Sequence, residues 1–145
     1  MTKKRTGEPW MPASQYGPTL RGLSMNLLLR DIAKSLPFYT DVLGFRVLYS
    51  DVDFAAIERD GGVRFQLHAD HTYDGMPWAD RLRAPGKRGL GAEIRILGID
   101  PDAAERAARA RGDVVLVATH DTGHGWRECI IEDPDGYAFA VGIVK

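Results

Sequence analysis

The sequence runs twice through one order of secondary-structure signals, and this repeat confines the chain to a fold with two equivalent halves. Asp31 and Asp100 stand 69 residues apart, each where an apolar run passes into a helical pattern. The glycines that close those helical patterns, Gly44 and Gly112, stand 68 apart, which is the signature of a duplicated supersecondary unit. In the first half Leu23 to Leu29 reads as a strand. Ile32, Leu36, Tyr39 and Leu43 then recur at helical intervals. Pro37 breaks a helix interior, so the regular part is expected to start near Ser35, whose hydroxyl caps it and leaves Pro37 in the tolerant first turn. Three strand-like runs follow, Phe45 to Tyr49, Phe54 to Glu58 and Val63 to Leu67, separated by polar or glycine-rich turns. In the second half Ala92 to Ile96, the alanine-rich helix Asp102 to Arg111, and the runs Val114 to Ala118, Glu128 to Ile131 and Tyr137 to Val141 repeat that order. The hairpin signals also correspond, with Asp60, Gly61 and Gly62 matched by Asp133, Pro134, Asp135 and Gly136. The expectation is an α+β fold made of two β-α-β-β-β modules. One spans about 22–70, the other about 90–145, and a Gly-, Pro- and charge-rich connection covers 71–89.

Composition narrows the partners. At 145 residues and 44% hydrophobic, the chain can bury one ordinary core without disulfides. Its net charge of −1 provides no basic face for phosphates, so nucleic acid is not an expected partner. The longest apolar stretches, such as Met25 to Leu29 and Val114 to Ala118, are strand-sized, and a membrane span needs roughly 20 residues. Met1 to Glu8 are basic and polar without the apolar core of an export signal, so the expected location is cytoplasmic. The single cysteine, Cys129, sits in the apolar run with Ile130 and Ile131 and reads as a small buried side chain rather than a nucleophile. Residues 1–21 form an N-terminal arm, expected to be extended or partly disordered because Pro9, Pro12, Gly17 and Pro18 exclude a long helix. Trp10, Met11 and Tyr16 in that arm need cover. Packing on a second subunit or on another surface, and a flexible tail, both remain open.

Between Leu23 and Val144 the chain resembles the glyoxalase, bleomycin-resistance and extradiol-dioxygenase superfamily, also called vicinal oxygen chelate. The resemblance rests on Asp31, Ser35, Leu36, Phe38, Tyr39, Val42, Leu43, Gly44 and Phe45, and on the closing Asp133, Pro134, Asp135 and Gly136. It implies that each module contributes a curved mixed sheet, that the sheets form an incomplete barrel with the ligand inside, and that the protein is a homodimer. Metal-dependent members hold one divalent ion with His or Glu from the first and fourth strands of each half. Carried onto this chain, those positions are Ser24, Gln66, Glu93 and Ala140. Ser24 is a weak ligand and Ala140 none, so the resemblance implies no standard metal and no cofactor. A fallback set for a divalent metal is Asn26, Gln66, His68 and Glu93, because residues two apart on a strand share a face.

Without a metal, nothing else here would polarise a bound carbonyl as strongly. Glu93 is the candidate general base, or a partner for a cationic ligand group. An internal ion pair with Arg95, Arg64 or Arg127 is the competing reading. His120, Asp121, His124 and Glu128 cluster in sequence, but Thr122, Gly123 and Gly125 make that segment a polar turn rather than a metal site. Trp126 and Arg127, and Trp78 in the connection, are candidates for the pocket mouth, where an indole face stacks on planar ligands. The expected ligand-binding set is therefore Ser24, Asn26, Gln66, His68, Glu93, Trp78, Trp126 and Arg127. The expected function is small-molecule binding of the glyoxalase and bleomycin-resistance kind. The alternatives are a metal-dependent lyase or isomerase of the glyoxalase or epimerase type using Glu93, and a structural or regulatory dimer.

Overall fold

A computed structural model describes residues 2–145. Its eight main strands form two four-stranded mixed sheets, each with two free edge strands, so neither sheet closes on itself. The contacts divide the described residues into two compact units, one of residues 2–33 and 45–84 and the other of residues 34–44 and 85–145.

The first unit carries β1 (Met25–Leu29), β2 (Arg46–Ser50), β3 (Phe54–Arg59) and β4 (Val63–Ala69), in the order β1-β4-β3-β2. β1 runs parallel to β4, with Asn26 opposite Gln66 and Leu28 opposite His68, while β3 is antiparallel to β4 with Phe54 opposite His68. Opposed residues point to the same side, so Asn26, Phe54, Ala56, Gln66 and His68 share one face. Leu27, Leu29, Ile57, Phe65 and Leu67 share the other and are buried. Ala55, Ala56 and Ile57 are all fully buried, which marks β3 as covered on both faces. The cover on the polar-lined face is the N-terminal arm. After Pro12 it forms α1 (Ala13–Tyr16) and a 3-10 turn (Gly17–Thr19), and Tyr16 packs edge-on against Phe54 with ring centres 5.7 Å apart.

The second unit carries β5 (Glu93–Leu97), β6 (Val115–Asp121), β7 (Trp126–Glu132) and β8 (Ala138–Val144), in the order β5-β8-β7-β6. Its helix α3 (Pro101–Arg111) starts as the sequence dictates: the Asp100 carboxylate accepts the backbone N–H of Asp102 at 2.9 Å and of Ala103 at 3.3 Å, and Pro101 fills the first turn. The helix ends on Gly112 in the left-handed region, and Ala104 and Ala108 face the core. Cys129 is buried with Sγ 3.5 Å from the Pro101 carbonyl, and burial pushes its thiol up to about 11, which leaves it inert.

The helix of the first module differs from its expected form. The helical conformation begins at Ile32, and α2 (Ile32–Pro37) passes into a wider π-turn over Phe38–Val42. Pro37 thus ends the α-helical register instead of sitting in its first turn. Pro37 has no N–H to donate, and the next register is the looser one in which the Leu43 N–H reaches the Phe38 carbonyl at 3.3 Å. Ser35 does not cap; its hydroxyl donates to Asp135 Oδ2 at 3.2 Å. Tyr39, fully buried beside Phe38 and Phe139, donates to Asp133 Oδ2 at 2.7 Å, while Asp133 Oδ1 accepts the N–H of Asp135 and of Tyr137. The Asp133 to Gly136 hairpin is therefore held by its own carboxylate and by the helix. Gly136 has φ of 99°, and a Cβ there would meet the Lys87 Cβ at 2.6 Å, so only glycine fits. The β6–β7 hairpin is longer than the sequence suggests: His120 and Asp121 are strand residues, and Arg127 and Lys145 pair with Asp121.

Candidate functional site

The first unit contains a cavity of about 460 Å³ between the arm and the Asn26, Gln66 and His68 face of its sheet. Trp10, Tyr16, Tyr49, Phe54, His68 and Tyr73 contribute rings to its wall. Trp10 stacks on Tyr49 at 5.8 Å and 15° and tilts onto Tyr16 at 5.6 Å, while His68 contacts Phe54 at 5.0 Å and Tyr73 at 5.3 Å. Each ring presents a flat π-face or an edge, a lining suited to a planar ligand.

The polar groups on this face differ in how far they are engaged. Gln66 is buried, its carbonyl accepting the Ser24 hydroxyl and its Nε2 donating to the Tyr16 hydroxyl at 3.0 Å. Asn26 Nδ2 lies 3.5 Å from the Tyr73 hydroxyl, at the limit of a hydrogen bond. The ring nitrogens of His68 make no hydrogen bond with any described residue, and burial among rings lowers its pKa to about 4, so it faces the cavity as a neutral imidazole at pH 7.

Two carboxylates hold the cavity together. Asp51 Oδ1 accepts the N–H of Asp53 at 2.7 Å and of Phe54 at 2.8 Å, closing the β2–β3 turn, and its Oδ2 accepts the Tyr49 hydroxyl at 2.6 Å. Asp53, 1% exposed, fastens the arm to the sheet. Its Oδ1 takes the Lys4 N–H at 2.8 Å and lies 2.7 Å from His71 Nε2, and its Oδ2 takes the Arg5 N–H at 3.2 Å with Arg5 Nη1 at 3.5 Å. Burial works against the charge most strongly, but His71 and the two backbone donors together outweigh it and hold the carboxyl below its ordinary range.

Of the residues expected to bind a ligand, Asn26, Gln66 and His68 line this cavity, and Ser24 supports it through Gln66. Trp78 lies just behind the wall, tilted onto Tyr73 at 5.3 Å. Glu93, Trp126 and Arg127 belong to the second unit and do not line it. Glu93 is not enclosed: its side chain is 42% exposed and lies 3.4 Å from Arg95 Nη1, whose other nitrogen reaches Glu128 at 2.8 Å. Of the two readings of Glu93, the geometry matches the ion pair with Arg95. Arg127 is committed to a surface network, forked onto Asp102 with two 2.8 Å bonds and reaching Asp121 at 3.0 Å. The backbone N–H and carbonyl of Trp126 are tied to the Thr122 hydroxyl across the hairpin.

Sequence reasoning missed Tyr49, Phe54 and Tyr73 as wall residues and Asp53 as the fastening. The aromatic side chains of the arm were the available signal, but nothing local indicates which surface they cover.

A divalent ion does not fit the residues at the family's metal positions. Ala140 has no donor atom, the Ser24 hydroxyl and both Gln66 amide atoms are already bonded to protein, and Glu93 is paired with Arg95. Among the described residues no three His, Cys, Asp or Glu gather as a hard or borderline cation requires. Also among the described residues, no helix is long and apolar enough to cross a membrane.

Two β-α-β-β-β modules, each yielding a four-stranded mixed sheet in the order first-fourth-third-second, define the vicinal-oxygen-chelate class of fold. The chain belongs to the Glyoxalase/Bleomycin resistance protein/Dioxygenase superfamily, whose family model matches residues 23–141. Similar solved structures include a glyoxalase/bleomycin resistance protein/dioxygenase family enzyme from Burkholderia phytofirmans PsJN, with a TM-score of 0.68 and 21% identity over 84% of this chain and 97% of that one. A glyoxalase/bleomycin resistance protein/dioxygenase from Nocardioides gives a TM-score of 0.63 at 21% identity, covering 90% of this chain and 91% of the other. A glyoxalase-related enzyme from Fulvimarina pelagi gives 0.67 at 15% identity, covering 85% and 87%. At such identities the likeness is one of fold. No curated protein matches the sequence.

Proposed function

We propose that this protein is a small-molecule binding member of the superfamily, taking a planar ligand into the arm-capped cavity of its first sheet without the family's divalent metal. One observation carries the reading: a ring-walled cavity of about 460 Å³ stands on the sheet face that bears the metal position of the first module. There Gln66 spends both amide atoms on protein partners, so the face offers stacking area and a neutral imidazole in place of a charged ligand shell. A volume of this size suits a compact ring system.

The test is a titration of naphthalene, an uncharged planar probe, into EDTA-treated protein, followed by calorimetry. Saturable one-to-one binding that EDTA does not alter and Phe54→Ala weakens at least tenfold is expected. Absence of binding would overturn the reading. So would a stoichiometric divalent ion in the purified protein that is lost in Glu93→Ala, since that result belongs to a metal-dependent lyase or isomerase using Glu93.

A further inference from the structure

His68 stands on the cavity face of the first sheet, and its ring is held from two sides. Phe54 lies directly opposite it on β3 with ring centres 5.0 Å apart. Tyr73, carried back by the 3-10 turn Asp70–Tyr73 that follows β4, meets it edge-on at 5.3 Å and 74°. All three rings line the cavity. Neither nitrogen of the half-buried imidazole has a partner among the described residues, and neither is sealed off. Arg5 Nε is the one buried side-chain nitrogen or oxygen left unbonded there, so the unbonded nitrogens of His68 keep accessible surface. The other polar side chains nearby are spent on protein: Gln66 on Ser24 and Tyr16, His71 on Asp53.

The open groups at this corner have opposite sense. A neutral imidazole carries one N–H donor and one nitrogen lone pair, and burial among the rings keeps His68 in that form at pH 7. Beside it the Tyr73 oxygen takes only the 3.5 Å contact from Asn26 Nδ2, and its own proton has no acceptor among the described residues. A bare ring seated here strips these groups of water without replacing the hydrogen bonds, which is costly. A carbonyl or ether oxygen accepts from Tyr73 and leaves the imidazole lone pair empty. A hydroxyl serves both with one oxygen, donating to the imidazole and accepting from Tyr73.

We propose that the ligand is a planar ring compound bearing a hydroxyl group, phenolic in its chemistry, whose O–H donates to the unprotonated nitrogen of His68. This rests on the cavity-binding reading above and gives it a ligand class. His68 is then a specificity-determining residue, selecting the hydroxyl-bearing ring among rings of similar size.

The experiment titrates the full chain and its His68→Phe variant with 2-naphthol, 2-methoxynaphthalene and naphthalene by calorimetry at pH 7. Phenylalanine keeps a ring between Phe54 and Tyr73 and removes both nitrogens. The variant should bind 2-naphthol about fivefold more weakly, the worth of one hydrogen bond between neutral groups, and the other two within twofold of the unaltered protein. A loss below twofold for 2-naphthol overturns the inference and, with naphthalene still bound, leaves the cavity reading standing. So does an equal loss for 2-methoxynaphthalene, which would make His68 a donor to an oxygen and not the acceptor of a hydroxyl. If naphthalene binding changes as well, the variant has reshaped the cavity, and nitrogen NMR of the unaltered protein decides. There 2-naphthol should move the resonance of the unprotonated His68 nitrogen, assigned through the contacts of its ring with Phe54 and Tyr73, further toward the protonated position than naphthalene does. Equal movement by the two, or none, overturns the assignment. Failure of all three probes to bind the unaltered protein removes both readings.

Discussion

Replacing Asp53 by Asn should release the N-terminal arm, and the structure supplies the magnitude. Each carboxylate oxygen faces two donors, Oδ1 the Lys4 N–H and His71 Nε2, Oδ2 the Arg5 N–H and Arg5 Nη1. The Asp53→Asn change turns one of these oxygens into an NH2 group, so in either amide orientation two donors face a donor. Hydrogen bonds to a charged group contribute about 1.5–3 kcal/mol each, and the amide oxygen keeps part of that, so the docked arm loses about 2–4 kcal/mol. At about 1.4 kcal/mol per tenfold, the undocked fraction rises roughly 30- to 700-fold. Trypsin cleavage after Arg5 reports that fraction, because proteolysis of a rapidly opening segment follows its open population. Mass spectrometry should show cleavage at Arg5 at least thirtyfold faster in the Asn variant, with cleavage within residues 90–145 unchanged. A rate within threefold of the original chain would refute the fastening role. The pH dependence has a definite sign. The folded carboxyl is held below its ordinary 3.8, so its contribution is present above that value and lost as pH falls below it. With Trp78 and Trp126 replaced by Phe, Trp10 emission should shift to the red on acidification through that range, and the Asn variant should lack the step.

Tyr39→Phe removes the hydrogen bond to buried Asp133 and should destabilise the fold by about 1.5–3 kcal/mol, lowering Tm by about 4–10 °C in calorimetry. Burial raises Asp133 to about 6, while Tyr39 pulls it down, so the Phe variant raises it further. Because that folded value lies above the unfolded 3.8, the carboxyl's own contribution is full below 3.8 and lost as pH rises through about 6. The Phe penalty is accordingly full above about pH 7 and shrinks below about 6, where both proteins are protonated; a penalty independent of pH would contradict the assignment. Gly136→Ala meets Lys87 and must hold an unfavourable positive φ, so it should cost at least 1–3 kcal/mol by denaturant unfolding, whereas Gly61→Ala, with open space around it, should cost less. Leu23, Leu90 and Val144 are 70–88% exposed in the single chain, and the homodimer that the family resemblance implies should appear as twice 16.0 kDa in light scattering at micromolar concentration. A monomer there counts against it.

What could be read from the sequence was whatever depends on residues close together in the chain. The doubled strand and helix order, the Asp100 cap, the Gly112 stop and the Asp133 to Gly136 hairpin are all specified by donors, acceptors and backbone freedom within a few residues. The lack of a metal ligand at Ala140 is equally a matter of residue type. The path of the first helix was less legible. Pro37 signals a break, but whether the break opens or closes the helix depends on Ser35 and Tyr39 reaching Asp135 and Asp133, about a hundred residues away. The cavity was legible only in part. Asn26, Gln66 and His68 could be placed on one face by strand alternation, and that face exists because the β1–β4 register sets Asn26 opposite Gln66. Trp126 and Arg127 had the right residue types but were committed to the hairpin and to Asp102 by partners that no local pattern indicates. That Trp10 and Tyr16 roof the first sheet, and that Asp53 fastens them there, was decided by tertiary structure alone. Apolar burial dictates that such rings be covered, but it carries no direction, and the choice of surface follows from a carboxylate 48 and 49 residues further along the chain.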